Sequence, residues 1–390
     1  MLSPNERFTL SIWGHLEQRF GTERPRKLLA LDGGGIRGVL SLEILAEVER
    51  KIAAETGVTR LADYFDYIGG TSTGAIIAAG LSIGMTAAEL LQFYREAGVP
   101  MFEKSALLKR LKSFYKDEPL AAKLQGIFRE KDGRHADLTS DRLRCLLLVV
   151  TRNMTTDSPW PISSNPSAKY NDLARPDCNR RIPLWQLVRA STAAPVFFPP
   201  EVLNWDPNDP NKSFVFVDGG LTPYNNPAFL LFRMATQPAY RLNWKTGERD
   251  LLLVSVGTGA AAGATDAVER NLLGNLQNLP SELMYGIQVE QDINCRTFGR
   301  CVHGSEIDRE MGNLVLPDQG TPAQEYGRLF RYVRYNVDLS QENLNALGLR
   351  DIDAAAVQKM DAVEQIDNLS RIGQTVAKKE VSIGHFGPFV

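Results

Sequence analysis

One order of features occurs twice near the start of this chain and limits what it can fold into: an apolar run, a glycine-rich turn, then a helix-like segment. Residues 27–31 break off in Asp32-Gly33-Gly34-Gly35, after which Leu40, Ile44, Val48 and Ile52 recur every fourth residue, the spacing that puts side chains on one face of a helix. Residues 64–68 lead into Gly69-Gly70-Thr71-Ser72-Thr73-Gly74 and then into the small, apolar, helix-like segment 75–81. Parallel strands need a crossover between them, so repeated strand–turn–helix units predict a parallel sheet covered by helices. Further apolar runs at 145–151, 214–217 and 251–256 read as strands, the last two running into Asp218-Gly219-Gly220 and Gly257-Thr258-Gly259. Open α/β sheets bind ligands at the carboxyl ends of their strands, which makes these glycine turns the place to look for a site.

The 390 residues, 43% of them hydrophobic, suffice for a large core in one α/β unit or two domains. The motifs divide the chain into an N-terminal segment (1–26), a domain that holds the glycine turns (27–260) and an extension (261–390) that alternates helical patterns with short polar turns and packs on that domain, with a regulatory role open to it. Residues 155–181 and 204–212, rich in Pro, Asn, Asp and Ser, read as long surface loops. With 44 basic against 46 acidic residues the net charge is −2, which argues against a nucleic-acid polymer as partner and makes any membrane contact local. Cys145, Cys178, Cys295 and Cys301 lack metal-ligand or disulfide-framework spacing, which fits a reducing cytoplasm. Pro4, Asn5, Glu6 and Arg7 are followed by no apolar signal core, and the uncharged stretch 68–88 is diluted by five glycines; neither a secretory leader nor a membrane span is expected.

Gly70-Thr71-Ser72-Thr73-Gly74 is a Gly-x-Ser-x-Gly pentapeptide between an expected strand and an expected helix, the setting a nucleophile elbow requires. Small flanking residues let the chain reverse and leave the serine hydroxyl exposed at a helix N-terminus, where the helix dipole favours developing negative charge. The segment from Asp32 to Gly38 has two readings. Gly33, Gly35 and Gly38 satisfy the Gly-x-Gly-x-x-Gly pattern of dinucleotide sites, which would make the chain a non-catalytic nucleotide-binding module. That pattern also wants an acidic residue closing the second strand, where this chain has Gly69-Gly70-Thr71-Ser72. Alternatively the N–H groups of Gly33, Gly34 and Gly35 form an oxyanion hole, with Arg37 adding positive potential.

Asp218 closes an expected strand, although Asp before Gly is also a common turn pair. The four histidines, His15, His135, His303 and His385, lie in no recognisable strand-end turn. A Ser–Asp–His order remains available through His303 or His385. Without a histidine, Asp218 must take the Ser72 proton directly, in a site dry enough to raise its basicity.

Asp32-Gly33-Gly34-Gly35-Ile36-Arg37-Gly38, Gly70-Thr71-Ser72-Thr73-Gly74 and Asp218-Gly219 resemble, in order, the three motifs of patatin-like phospholipases. Ala190-Ser191-Thr192-Ala193-Ala194-Pro195 and Asn225-Asn226-Pro227 resemble further signatures of that family, so the likeness extends over residues 27–259. It implies a patatin-like three-layer α/β/α sandwich with a mostly parallel central sheet and a helical C-terminal extension. It also implies a serine lipid acyl hydrolase with Ser72 as nucleophile, Asp218 as general base, the Gly33, Gly34 and Gly35 amides as oxyanion hole and a further N–H from Thr73. Such a dyad requires no metal and no cofactor.

Residues 101–134 mix apolar side chains with an excess of Lys and Arg, the composition of a lid, of a surface that touches an anionic bilayer, or of a solvated helix packed on the core. Residues 283–339, with their arginines and tyrosines, resemble the C-terminal part of bacterial patatin-like effectors of CBASS anti-phage systems. That likeness implies a cyclic dinucleotide activator, phospholipid membrane as peripheral partner and a cytoplasmic location at the inner membrane face; it leaves a homo-oligomer open.

Overall fold

The computed structural model describes residues 12–102, 119–195, 198–206, 209–260, 272–315 and 327–390. Among these, nine strands form one sheet: β1 (Arg26–Leu31), β2 (Tyr67–Thr71), β3 (Leu146–Asn153), β4 (Ser158–Ser163), β5 (Glu201–Asn204), β6 (Ser213–Asp218), β7 (Leu251–Val256), β8 (Arg300–His303) and β9 (Arg331–Tyr335). Hydrogen-bonded neighbours run β5-β6-β3-β2-β1-β7-β9-β8, with β4 also paired to β3. The run from β3 to β8 is parallel throughout, whereas β4 and β6 lie antiparallel to β3.

Strands buried on both faces need apolar residues at odd and even positions alike, and that is why the central ones read as unbroken apolar runs. Leu29, Leu31, Ile68, Val149 and Val254 enter one core together with Leu40, Ile44 and Val48 of the Gly38–Thr56 helix. Leu28, Ala30, Tyr67, Leu148 and Leu253 enter the other, against Leu231 and Met234 of the Ala228–Thr236 helix. The result is the expected three-layer α/β/α sandwich. No helix among the described residues is long and apolar enough to cross a membrane.

Three local expectations change. β2 begins at Tyr67 and runs through Gly69, Gly70 and Thr71, because glycine there lets Leu148 and Leu231 approach to what would be 3.2 Å of a Cβ at Gly69. Within 155–181, read as a loop, lies β4. Its Pro159 and Pro161 pair with Arg152 and Val150, and an edge strand tolerates such proline because one side of its ladder has no partner. The chain beyond 260 adds β8 and β9 to the sheet as well as helices. The Ile366–Glu380 helix crosses the Gly38–Thr56 helix so closely that a Cβ at Gly373 would lie 2.8 Å from the Glu43 Cβ, and Ser370 hydrogen-bonds Glu43 there.

The sheet sets up the site through the two edges of β3. β4 covers one edge from Leu148 to Asn153. β2 occupies the other up to the pair Thr71 with Val150, and β6 takes over that same edge at the next position, Asp218 opposite Thr151. β2 and β6 therefore approach each other end to end, and the residues at the meeting point are Ser72 and Asp218.

Candidate active site

Ser72 stands between β2 and the Thr73–Ser82 helix at φ 55°, ψ −123°, a backbone state that costs a non-glycine residue about 1–3 kcal/mol and persists only when neighbours enforce it. The enforcing contacts are present. The Ser72 N–H donates to Ser191 Oγ at 2.9 Å, and the Ala75 N–H donates to the Ser72 carbonyl at 2.8 Å. A Cβ at Gly70 would lie 2.0 Å from the Gly74 carbonyl oxygen, and one at Gly74 would lie 2.3 Å from the Leu31 carbonyl oxygen. The glycines of the pentapeptide are thus required by backbone packed on backbone. A Gly74→Ala variant is expected to lose about 3 kcal/mol of stability, as overpacking does, together with Ser72 reactivity; denaturant unfolding and fluorophosphonate labelling would read both.

Ser72 Oγ donates to Asp218 Oδ2 at 2.6 Å. Asp218 Oδ1 accepts from the Gly220 N–H at 2.6 Å, so each carboxylate oxygen has one donor and the group is fixed in rotation. Asp218 is 6% exposed. Burial pushes its pKa up to about 6, with the Ser72 and Gly220 hydrogen bonds and the Arg189 charge opposing. A carboxyl tuned to that range is deprotonated at neutral pH yet basic enough to take a proton.

The Ala190-to-Pro195 string ties Ser72 to Asp218. The Ser191 hydroxyl accepts from Ser72 and donates to the Val150 carbonyl at 2.6 Å, while the Asp218 N–H donates to the Ala193 carbonyl at 2.9 Å. Arg189, at 1% exposure, lies in the Leu184–Ser191 helix that runs into this string, 5.1 Å from the Phe198 ring centroid and donating to the Pro199 carbonyl at 3.0 Å. Sequence reasoning passed over it, since nothing in the string separates a buried arginine from a surface one. Asn225 and Asn226 tie the neighbouring loop: the Asn225 carbonyl accepts from Gly33, and the Asn226 side chain accepts from the Ala228 N–H at 3.0 Å, opening the Ala228–Thr236 helix.

The glycine turn departs from expectation at Gly33. Its N–H donates to the Asn225 carbonyl at 3.1 Å, so it is committed to the fold and is no oxyanion donor. The N–H groups of Gly34 and Gly35 meet no acceptor among the described residues, and neither does that of Thr73 in the first turn of its helix. Each glycine is packed against protein: a Cβ would lie 2.3 Å from Asn225 Oδ1 at Gly33, 2.1 Å from Thr258 Oγ1 at Gly34, and 2.2 Å from the Met360 carbonyl oxygen at Gly35. These contacts account for the glycines without a bound pyrophosphate. Arg37 is half-buried and folds back so that Nε donates to the Gly34 carbonyl at 3.4 Å; burial lowers its pKa to about 10, the Asp32 charge opposing.

No histidine contacts Ser72 or Asp218. His15 hydrogen-bonds the Leu143 carbonyl at 2.6 Å, and His135 lies against Trp185. His303 sits on β8, four strands from β2 and so about 19 Å away at the usual strand spacing, with the His385 ring stacked on it at 4.5 Å. Of the basic stretch 101–134, residues 103–118 lie outside the described residues; from Pro119–Ile127 onward, Leu120, Leu124 and Phe128 are buried in the core. Within 283–339, residues 316–326 likewise lie outside them.

The family model for patatin-like phospholipase matches residues 29–232. A cGAMP-activated phospholipase of Vibrio cholerae serotype O1 is 31% identical over 252 residues, covering 60% of this chain and 64% of that protein. Patatin-T5 of Solanum tuberosum is 28% identical over 253 residues, covering 60% and 61%. The alignments therefore span less than two thirds of these relatives' own length. Among solved structures, human GIVD cytosolic phospholipase A2 aligns at a TM-score of 0.43 and 12% identity over 94% of this chain and 64% of that one. VipD from Legionella pneumophila aligns at 0.36 and 13% over 90% and 67%. The family match takes in more than half of the chain and contains the glycine turn, the strained serine and the Asp218 turn, and on that ground the chain belongs to the patatin-like phospholipases.

Proposed function

We propose that this chain hydrolyses acyl esters of membrane phospholipids with Ser72 and Asp218 alone, and that a cyclic dinucleotide switches it on in anti-phage defence. The observation that carries the reading is the 2.6 Å hydrogen bond from Ser72 Oγ, on its strained elbow, to a buried carboxylate of raised basicity. In the first step Ser72 Oγ bonds to the ester carbonyl carbon as its proton passes to Asp218 Oδ2. The oxygen that gains charge is met by the N–H groups of Gly34, Gly35 and Thr73, with Arg37 adding positive potential. Collapse breaks the ester C–O bond, and the leaving alcohol takes the proton from Asp218. Water then attacks the acyl-enzyme, giving one proton to Asp218, which returns it to Ser72 Oγ as the fatty acid departs.

The substrate class is supported by family membership, and the switch by the likeness to the cGAMP-activated phospholipase. Access to such a substrate requires peripheral contact with the inner membrane face from the cytoplasm. The test is fatty-acid release from anionic liposomes with and without a panel of cyclic dinucleotides. Release that depends on Ser72 and rises at least about tenfold with one dinucleotide is expected for a ligand-gated enzyme. Release indifferent to every dinucleotide removes the switch, and no release from any phospholipid removes the substrate class.

A further inference from the structure

The family match ends at residue 232, yet the glycine turn beside Ser72 is held from beyond that limit. Asp32, directly before the turn, is 2% exposed, and so is Arg334 on β9. Arg334 Nη1 donates to Asp32 Oδ1 at 2.9 Å and Nη2 donates to Asp32 Oδ2 at 2.6 Å, a two-pronged ion pair; Nη1 also donates to Ser255 Oγ at 2.7 Å. The planar fork of a guanidinium fixes both carboxylate oxygens at once, which a lysine ammonium does not do.

The backbone of Asp32 is equally constrained. Its N–H donates to the Val256 carbonyl at 3.1 Å, and its carbonyl oxygen lies 2.7 Å from where a Cβ at Gly74 would be. Asp32 is therefore wedged between the end of β7 and the nucleophile elbow, and Gly33, Gly34 and Gly35 continue from it without a break. On its far side the turn meets Thr258, whose hydroxyl donates to the Gly33 carbonyl at 3.0 Å, and the Met360 carbonyl, which accepts from the Ile36 N–H at 2.9 Å. A side chain locked at Asp32 fixes the peptide planes that follow it.

We infer that Arg334 is a positioning residue for acyl transfer: by locking Asp32 it keeps the Gly34 and Gly35 N–H groups aimed at the carbonyl oxygen that gains charge at Ser72. This rests on the Ser72–Asp218 hydrolase reading. Because donors placed for the transition state act on turnover more than on ground-state binding, loss of the lock lowers kcat and leaves KM nearly unchanged.

The test uses a short-chain soluble ester, which needs no membrane, with turnover expressed per active site titrated by a fluorophosphonate. Arg334→Lys keeps the charge and loses the fork. Its kcat is expected to fall roughly ten- to hundredfold, with KM within about twofold of wild type. A second arm compares Arg334→Gln with the double variant Asp32→Asn/Arg334→Gln, in which no buried charge is left alone. The double variant is expected to regain thermal stability relative to the single one while kcat per site stays low. Wild-type kcat in Arg334→Lys, or kcat that recovers in step with stability in the double variant, overturns the inference. Ser72→Ala, run alongside, separates the two levels: wild-type turnover that survives in Ser72→Ala sinks the hydrolase reading and this inference with it, whereas Ser72-dependent turnover with an unaffected Arg334→Lys sinks the inference alone.

Discussion

A Ser72→Ala variant is expected to fold as the wild type does and to lose ester hydrolysis, by about 10⁴-fold or more, to the level that binding and oxyanion donors alone sustain. The expectation follows from how the elbow is held. The contacts that fix residue 72 are its own N–H and carbonyl, donating to Ser191 and accepting from Ala75, and alanine keeps both. What disappears is the hydroxyl, and with it the donor to Asp218 Oδ2. Initial rates on a chromogenic ester, together with the melting temperature, check both halves. Turnover well above background in a folded Ser72→Ala protein would remove Ser72 from the chemistry.

Asp218→Asn is expected to lower kcat by a comparable factor, about 10³–10⁴-fold, since among the described residues no other base reaches the Ser72 hydroxyl, and to make the protein more stable at neutral pH. The sign follows from the raised pKa. Folded, Asp218 titrates at about 6 against an ordinary 3.8, so below about 3.8 both states hold the proton, and between the two values the unfolded chain has ionised while the native state still holds it. The native state therefore loses stability steadily from about pH 4 to about pH 6, and above that the buried charge costs on the order of 3 kcal/mol. Asparagine avoids this charge while keeping an acceptor for Gly220. The stability gap between variant and wild type should therefore open from about pH 4 to about pH 6 and stay open above, as calorimetry across pH would show. Wild-type kcat/KM should rise as pH passes through about 6 and level off above, because only the ionised carboxylate accepts a proton. A gap that fails to widen with pH would contradict the buried, raised carboxylate.

The parts of this site written in short contiguous strings were legible in the sequence. Ser72 was, because a strained turn between strand and helix demands Gly70 and Gly74 at fixed offsets. Asp218 was legible as a strand-ending residue, but its partnership with Ser72 depends on β6 continuing the line that β2 leaves, a matter of strand order that no local pattern encodes. Gly33 was misread as an oxyanion donor since its acceptor, the Asn225 carbonyl, is 192 positions away. β9 escaped notice for a related reason. Arg331 and Arg334 make its sequence look like a surface segment, yet all five of its residues are buried, and Arg334 is tolerated inside because Asp32 meets it there. β4 was hidden by prolines that an edge strand accepts. Periodicity finds elements whose burial is apolar; elements buried through ion pairs or through one unpaired edge need the partner to be seen.

The claim that Ser72 works with Asp218 and without a histidine is tested most directly by the rate at which a fluorophosphonate labels the Ser72 peptide, in wild type and Asp218→Asn, from about pH 4 to 9. The account predicts a wild-type rate that climbs with a single apparent pKa near 6 and a slow, pH-independent rate in Asp218→Asn. A titration that persists in Asp218→Asn, with labelling close to the wild-type rate, would mean that another base activates Ser72 and would contradict the dyad.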